Sequence, residues 1–476
     1  MQTRVVIERT QIHRCVDCKE KLGRCESKNV IRRCMPSIAN ILSRLVERSP
    51  FRPVTRDDQR TWFFLATIQI GVTICVPLFA LGGQLGGHAR FVDLVPAMLT
   101  GALITAFFAT LTGLVGMQAR VPTAVLMRRA FGELGGRATA IILILTLFGW
   151  FGVQTEVLVQ SIGTLLASGL DLHMSPLVLT VICGALMSST AIIGFRALGK
   201  VAYVAVPLLL TVLAVPTVIA LTTHDVAPLL TAPPAESPYT FGIVVSIISG
   251  GHMVAVTIAP DLTRFLRSRR DTVIGMVVSF AVALPLLLSL SALLAVIYGS
   301  ANLIGILVAA GVGVPALLVI ILATWTSNDK NLYESALSLS TLFPKAERWV
   351  LTAAAGVVGT VLAAAGIFEH FIELLIFLGI LIAPVAGVYL MDFWLHRAAY
   401  LSEQPGVRIR WISFGAWAFG IAFGLLTLPR DSHGLGWVTL TSIPTLDALL
   451  AAAAAQWAFT VTARFFRRTT GAPQRV

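Results

Sequence analysis

Long apolar stretches alternate with short polar loops along most of the chain. Twelve of them are long enough to cross a bilayer, which takes about 20 apolar residues in a helix. They lie near residues 61–85, 93–117, 139–168, 175–194, 201–222, 240–260, 273–298, 312–341, 349–367, 371–391, 411–428 and 438–462. Lipid offers no hydrogen bonds to the backbone, so every spanning stretch is expected to be helical. The pattern predicts an all-α integral membrane protein with 12 transmembrane helices.

Composition and charge placement agree with this prediction. Of the 476 residues, 56% are hydrophobic and 13% are charged, whereas a soluble domain is about half apolar and a quarter charged. With the N-terminus inside, the predicted outer loops contain only Arg90 and Arg430 among the 36 lysines and arginines, and Lys330 lies within a span. This asymmetry predicts cytoplasmic termini in a cell inner (plasma) membrane. The net charge of +12 is then a topology signal toward anionic lipid, and nucleic acid is not expected as a partner.

Residues 1–60 form the only sizeable hydrophilic segment and are predicted to be a basic cytoplasmic tail. They lack the apolar region of a secretory signal, so the first span is expected to direct the chain to the membrane. Cys15, Cys18, Cys25 and Cys34 could form a four-thiolate zinc site. Their spacing fits no common zinc module, and a disordered tail is the favoured interpretation; a start at Met35 is a further alternative.

Two spans contain residues that interrupt helices. Pro77 lies near the middle of the first span, where its missing N–H frees backbone oxygen around Thr73. The sixth span contains Ser249-Gly250-Gly251 and then Pro260, and adjacent glycines weaken a helix. The alternative is that these residues only pack neighbouring helices closely. The two positions correspond if spans 1–5 and 6–10 are inverted copies, and matching breaks indicate a transport site at the midplane.

The third and eighth spans contain the most informative polar residues. Trp150 and Gln154 are four apart and share a helical face. An indole beside an amide suits a flat heteroaromatic ligand, although packing and helix bridging are the alternative roles. In the eighth span, the hydroxyls of Thr326 and Ser327 suit a small cation, and Asn331 shares a face with Ser327.

Five motifs occur together: IGVTI in span 1, GWFGVQT in span 3, GGH…PDLTRF in span 6, ATWTSND…LY in span 8 and APVAGVYLMDFWL in span 10. In combination they resemble the nucleobase–cation symporter family, which includes cytosine permeases and the bacterial hydantoin transporter. The resemblance runs from about Thr61 to Arg410. It implies a LeuT-type fold of two inverted five-helix repeats, 61–222 and 240–391, followed by two further helices at 411–462 and a cytoplasmic tail at 463–476.

The resemblance also implies two sites. The sodium site would use backbone oxygens of Gly71, Ile74 and Ala323 and the hydroxyls of Thr326 and Ser327. The substrate site would use Trp150 for stacking, Gln154 and Asn331 for hydrogen bonds, Gly251 for backbone contact, Cys75 from span 1, and His252 opposite Trp150. His252 is expected to donate to the substrate; the alternative is a histidine bonded within a helix interface.

Lys330 raises the question of the coupling ion, because an ammonium there would repel sodium unless it is neutral or paired. Glu334, four residues on, and Glu156 in span 3 are the candidate partners. Burial disfavours the charged form of a lysine, and a nearby carboxylate favours it. Lys330, Glu156 and Asp329 are therefore candidates for proton coupling, and sodium is the favoured ion.

The predicted function is cation-coupled symport of a nucleobase or related planar heterocycle, such as cytosine, a purine, hydantoin or allantoin, by alternating access in a monomer. A proton-coupled carrier of a vitamin pyrimidine is the alternative with the same fold. A membrane-embedded enzyme and a channel are the alternatives of other classes. The chain lacks HExxH, GxSxG and P-loop motifs, so no enzyme and no cofactor other than the coupling ion are expected.

Overall fold

The computed structural model describes residues 54–73, 75–193, 196–234, 239–300, 306–307, 311, 313–401 and 407–470. The cysteine-containing segment before residue 54 lies outside them. The described residues are mostly helical and form no β-strand. The α-helices of eight or more residues are α1 (Trp62–Thr73), α2 (Val76–His88), α3 (Phe91–Ala119), α4 (Thr123–Phe131), α5 (Glu133–Leu170), α6 (Pro176–Ile193), α7 (Arg196–Thr223), α8 (Phe241–Thr257), α9 (Arg269–Met276), α10 (Leu284–Tyr298), α11 (Gly313–Leu342), α12 (Arg348–Ala364), α13 (Phe371–Leu395), α14 (Trp411–Thr427) and α15 (Pro444–Thr470).

The helices include several that are long and apolar enough to cross a membrane. Among the described residues, five helical stretches meet that criterion singly, and the bent pair α1–α2 makes a sixth. Each of the 12 predicted stretches overlaps a helix, while the number that cross the membrane stays a prediction. Large apolar side chains such as Phe107, Leu145 and Val357 lie on the outer surfaces of these helices. Such surfaces are suited to lipid contact.

The first predicted span is broken, as its proline indicated. α1 ends at Thr73 and α2 begins at Val76, and their axes differ by 58°. Pro77 has no N–H for the carbonyl of Thr73, its partner in a continuous helix. That carbonyl instead accepts from the backbone N–H of Cys75 at 2.9 Å. Because this N–H would otherwise bond the carbonyl of Gly71, the break leaves the Gly71 oxygen without its helical donor.

The predicted break at Ser249–Gly251 is wrong, because α8 runs unbroken from Phe241 to Thr257. The alternative of close packing applies: a Cβ on Gly250 would lie 2.7 Å from the carbonyl oxygen of Leu375 and 3.1 Å from Cα of Gly379. α13 therefore passes against α8 at a distance that only glycine permits. α8 ends before Pro260, and Tyr389 on α13 donates to the carbonyl of Thr257 at 3.1 Å.

α5 lies between two parts of the apolar interior. Trp150 and Val153 belong to the large cluster formed with α1–α3, α8, α10 and α13. Phe151 and Leu158, on an adjacent face of α5, belong to a smaller cluster with α6, α11 and α12. A 3.6-residue period separates the two faces. The α5 side chains of the first face are thereby held toward the middle of the molecule.

A buried carboxylate joins the C-terminal helices. Asp392 on α13 accepts from Tyr400 at 2.7 Å, from Arg410 at 2.6 Å and from Gln456 on α15 at 3.0 Å. His396 Nδ1 lies 3.0 Å from the same side chain. A buried carboxylate is stable only with such a full set of donors. This network helps to fix α13, which packs against α8.

Candidate functional site

A small cavity lies among α1, α2, α5, α8 and α11, with a volume of about 60 Å³. Six residues that the sequence predicted as substrate ligands all line it: Cys75, Trp150, Gln154, Gly251, His252 and Asn331. They are separated by up to 256 residues in the chain. Their convergence on one cavity agrees with the predicted site, whose substrate contacts stay a prediction.

The α5 wall of the cavity combines an indole with an amide. Trp150 and Gln154 are both buried, and the indole meets the ring of Phe371 edge to face at 5.7 Å between centroids. This contact with α13 helps to fix the plane of the indole. Gln154 Oε1 has no hydrogen-bond partner among the described residues. A buried amide oxygen without a partner is costly, so this wall is suited to a ligand that donates.

The α8 wall contains Gly251 and His252. His252 Nδ1 lies 2.8 Å from the carbonyl oxygen of Ile248. A carbonyl only accepts, so Nδ1 bears the hydrogen, and Nε2 of the neutral ring is an acceptor. Nε2 has no partner within the described ranges. The backbone of its own helix thus takes the Nδ1 hydrogen, and the expected donation from His252 to the substrate stays a prediction.

Among the cavity residues that the sequence did not indicate, one is polar and one is aromatic. Gln69 on α1 lines the cavity, and its Oε1 also lacks a partner in the described part of the chain. A glutamine in an apolar span was the available signal. Phe280 lines the cavity from a π-helical segment, Val277–Ala283, between α9 and α10, and its ring lies 6.0 Å from that of His252. π-helical turns often mark functional sites, but no motif in the sequence indicated this one.

Asparagines attach α11 to α5 beside the cavity. Asn331 Nδ2 donates to Asn328 Oδ1 at 3.3 Å. Asn328 Nδ2 in turn lies 3.2 Å from Thr155 Oγ1 and 3.3 Å from the carbonyl oxygen of Phe151. Asn331 keeps its own amide oxygen for another donor. The pair therefore places one polar side chain of α11 at the cavity in a fixed orientation.

Lys330 pairs with Glu334, as the spacing of four predicted. Nζ lies 3.0 Å from both carboxylate oxygens, and the side chains are only 5% and 3% exposed. Both residues line the cavity. An ion pair at this depth is stable only while both partners remain. The cavity wall thus contains two opposite charges that neutralise each other.

Glu156, the second candidate partner of Lys330, contacts other groups. Glu156 Oε2 accepts from the backbone N–H of Phe368 at 2.8 Å, and Gln160 Nε2 lies 3.5 Å from Oε1. The physical reason is the helix period: residues two apart on α5 point about 200° away from each other, so Glu156 faces away from Gln154. Glu156 instead fixes the short turn that precedes α13.

Asp329 also lies on a different face of α11 from the cavity. Thr190 on α6 donates to Asp329 Oδ1 at 2.8 Å, and Trp325 Nε1 donates to Thr190 at 2.7 Å. This chain of hydrogen bonds attaches α11 to α6. Asp329 is not among the residues that line the cavity. Its role as a coupling group stays a prediction.

The predicted sodium ligands fall partly within the described residues. Gly71 is buried at the end of α1, and Ala323 is buried on α11. Ser327 Oγ and the neighbouring Thr324 Oγ1 are buried without partners in the described part of the molecule. Ile74 and the side chain of Thr326 lie outside the described residues. The sodium site therefore stays a prediction.

A larger cavity of about 550 Å³ lies beyond Phe371. It is lined by residues at the ends of α2, α3, α10 and α13, including Gln84, His88 and Glu373. Phe371 lines this cavity and contacts Trp150 of the smaller one. Phe371 therefore lies between the two cavities.

This architecture has counterparts among known proteins. The family model described as permease for cytosine/purines, uracil, thiamine and allantoin matches residues 53–443. The chain belongs to this family. Cytosine permease of Escherichia coli strain K12 is 28% identical to it over 374 residues, which are 78% of this chain and 87% of that protein. The chain is thus a multi-pass membrane protein of a permease family.

Solved structures show the same fold. Mhp1, a nucleobase-cation-symport-1 family transporter in a closed conformation with bromovinylhydantoin bound, has a TM-score of 0.71 at 20% identity, covering 89% of this chain and 96% of that chain. A Na⁺-coupled sialic acid symporter has a TM-score of 0.63 at 12% identity, covering 88% and 92%. These two likenesses confirm the LeuT-type helical fold that the sequence predicts.

Proposed function

We propose that this permease is a cation-coupled symporter of a nucleobase or related planar heterocycle and works by alternating access. The observation that carries the proposal is the cavity where α1, α2, α5, α8 and α11 bring six predicted substrate residues together. The relative in E. coli is a cytosine permease, which supports a nucleobase as the class of substrate.

The proposed substrate is neutral and flat. Trp150 supplies a ring face for stacking, and Gln154, Gln69 and Asn331 supply amides. Because about 10–15 Å³ accommodates one water, a cavity of about 60 Å³ has room for a few waters or one small ring.

Sodium is the proposed coupling ion. Carbonyl and hydroxyl oxygens suit a hard cation, and the break after Thr73 frees the carbonyl of Gly71. Ser327 Oγ is a buried oxygen without a partner among the described residues. The pairing of Lys330 with Glu334 removes the net positive charge that would repel sodium. Proton coupling through Lys330 is the second candidate, because both members of the pair reach the cavity.

The proposal also covers the membrane topology, the location and the oligomeric state. We propose 12 transmembrane helices, with two inverted repeats at 61–222 and 240–391, in the cell inner membrane. Lysines and arginines favour both termini in the cytoplasm. The protein is proposed to act as a monomer in contact with lipid, since the six predicted substrate residues of a single chain converge on one cavity.

The test is uptake into liposomes that contain the purified protein. Labelled cytosine, uracil and hydantoin are supplied under an imposed sodium gradient or an imposed proton gradient. Accumulation of at least one heterocycle under the sodium gradient is expected. Accumulation driven only by protons, and lost in Lys330→Met, would replace sodium by the second candidate. No uptake of any heterocycle under either gradient would refute the function.

Two substitutions on α5 test the location of the site. Trp150→Ala removes a stacking surface worth about 1 kcal/mol or more, and Gln154→Ala leaves substrate groups unpaired at a cost of about 1–3 kcal/mol. Both are expected to lower uptake without loss of folded protein. Trp394→Ala and Gln160→Ala are matched controls, because these residues lie outside the cavity. Wild-type affinity in either α5 variant would place the site elsewhere.

A further inference from the structure

Three polar atoms around the cavity lack hydrogen-bond partners in the described part of the chain: Gln69 Oε1, Gln154 Oε1 and His252 Nε2. Their side chains belong to residues that are only 4%, 2% and 6% exposed. They come from α1, α5 and α8, and all three residues line the same cavity. All three atoms are acceptors. A buried acceptor is costly until a donor reaches it, so an occupant of this cavity is stabilised by the hydrogens it donates.

His252 determines that the α8 wall of the cavity offers an acceptor and not a donor. A glutamine amide can turn over and present either a donor or an acceptor. The imidazole of His252 has no such freedom, because its Nδ1–H is held by the carbonyl of Ile248 at 2.8 Å. The ring of Phe280 packs against it edge to face at 6.0 Å between centroids. The neutral ring therefore offers Nε2 as an acceptor only.

The charges on the cavity wall favour a neutral occupant. Lys330 Nζ lies 3.0 Å from both oxygens of Glu334, and both residues line the cavity. This pair has no net charge to offer an anionic or cationic substrate. Recognition then depends on stacking and on hydrogen bonds.

We propose that His252 Nε2 accepts a hydrogen bond from an N–H of the substrate, so that the carrier selects neutral single-ring heterocycles with a free N–H toward α8 and rejects their N-methylated forms. This inference rests on the proposed function and specifies its substrate class. His252 is accordingly a specificity-determining residue. Replacing the hydrogen by a methyl group removes the donor and leaves Nε2 without a partner.

The experiment compares parent heterocycles with their mono-N-methyl derivatives. Purified protein is titrated with uracil, cytosine and hydantoin and with each single N-methyl form, and the same compounds compete with labelled parent in liposome uptake. In the wild-type protein, one methyl position of the transported parent is expected to weaken binding by about tenfold or more, the loss of one hydrogen bond to a buried acceptor. His252→Phe, which keeps an aromatic ring against Phe280, is expected to lower parent affinity about tenfold for the same reason and to abolish the difference between parent and that derivative.

Two further variants complete the design. His252→Gln places an amide near the position of Nε2 and is expected to restore part of the discrimination. His173→Phe, at an exposed position between α5 and α6, is the matched control and is expected to keep the wild-type profile. If His252→Phe does not fold, His252→Gln and the wild-type methyl series still decide the question.

The outcomes separate this inference from the proposed function. Transport of a parent heterocycle with equal affinity for all its N-methyl forms would overturn the role of His252 and leave the symporter intact. Unchanged discrimination in His252→Phe would do the same. No binding or transport of any heterocycle would overturn both.

Discussion

The bent pair α1–α2 and the helix α8 occupy equivalent places in the two predicted repeats, yet only the first is broken within its span. α1 stops at Thr73, four residues before Pro77, and the chain turns by 58° into α2. α8 continues through its glycine pair and ends at Thr257, close to Pro260. Both prolines coincide with a helix end, whereas the glycine pair does not.

The difference lies in what each residue removes from a helix. Proline removes a backbone donor and crowds the preceding turn. α1 ends where this happens at Pro77, whereas α3 runs unbroken through Pro96. Glycine removes only a side chain, and a helix tolerates it when a neighbouring helix fills the space. At α8 that neighbour is α13, packed at Leu375 and Gly379. The broken helix therefore offers backbone oxygen to the site, and the unbroken one offers side chains.

The largest effect is expected from the ion pair that shares the cavity with the break. Thr73 and Cys75 line the same cavity as Lys330 and Glu334. Lys330→Met leaves a buried carboxylate without its partner and is expected to destabilise the protein by about 3–5 kcal/mol. The measurement is thermal unfolding of the purified protein, with uptake under a sodium gradient as the functional readout.

The control for this variant removes both charges. The double variant Lys330→Met with Glu334→Leu is expected to recover most of the lost stability, because no unpaired charge stays buried. If it also keeps sodium-driven uptake, the pair has a structural role beside the break. If Lys330→Met alone is as stable as the wild type, Lys330 and Glu334 do not form a buried ion pair.

The second prediction tests the packing of α8. Gly250→Ala places a Cβ 2.7 Å from the carbonyl oxygen of Leu375 and is expected to cost about 1–3 kcal/mol. Gly163→Ala on α5 is the matched control, since its Cβ would meet nothing closer than Leu179 Cδ1 at 3.8 Å. Alanine is the better helix former there, by about 1 kcal/mol. Equal melting temperatures for the two variants would show that α8 does not need glycine for packing.

The smallest effect is expected at the break itself. Pro77→Ala restores the N–H that can bond the carbonyl of Thr73, so α1 and α2 can approach one continuous helix. The sodium concentration for half-maximal uptake is expected to rise about tenfold, or about 1.4 kcal/mol. Pro96→Ala is the control, because Pro96 lies inside the unbroken α3. If Pro77→Ala and Pro96→Ala show the same sodium dependence, the break between α1 and α2 does not contribute to sodium binding.

Much of the site could be predicted because its signals are local. Trp150 and Gln154 share a face by helix period alone, and Lys330 and Glu334 pair by the spacing of four. The period also places Glu156 on the opposite face of α5, although Glu156 was the second candidate partner of Lys330. The contact of Glu156 with the N–H of Phe368, 212 residues away, was not visible in the chain.

The helical, membrane-spanning class, the break at Pro77 and the family motifs could be predicted from the chain alone. These depend on hydrophobic length, on a missing backbone donor and on residues close together in the chain. Contacts between residues far apart in the chain appear only in the folded protein. Through them Gly250 packs α8 against α13, and Phe280 and Gln69 join the cavity. The orientation of His252 is visible only in the folded helix, where Nδ1 lies 2.8 Å from the carbonyl oxygen of Ile248.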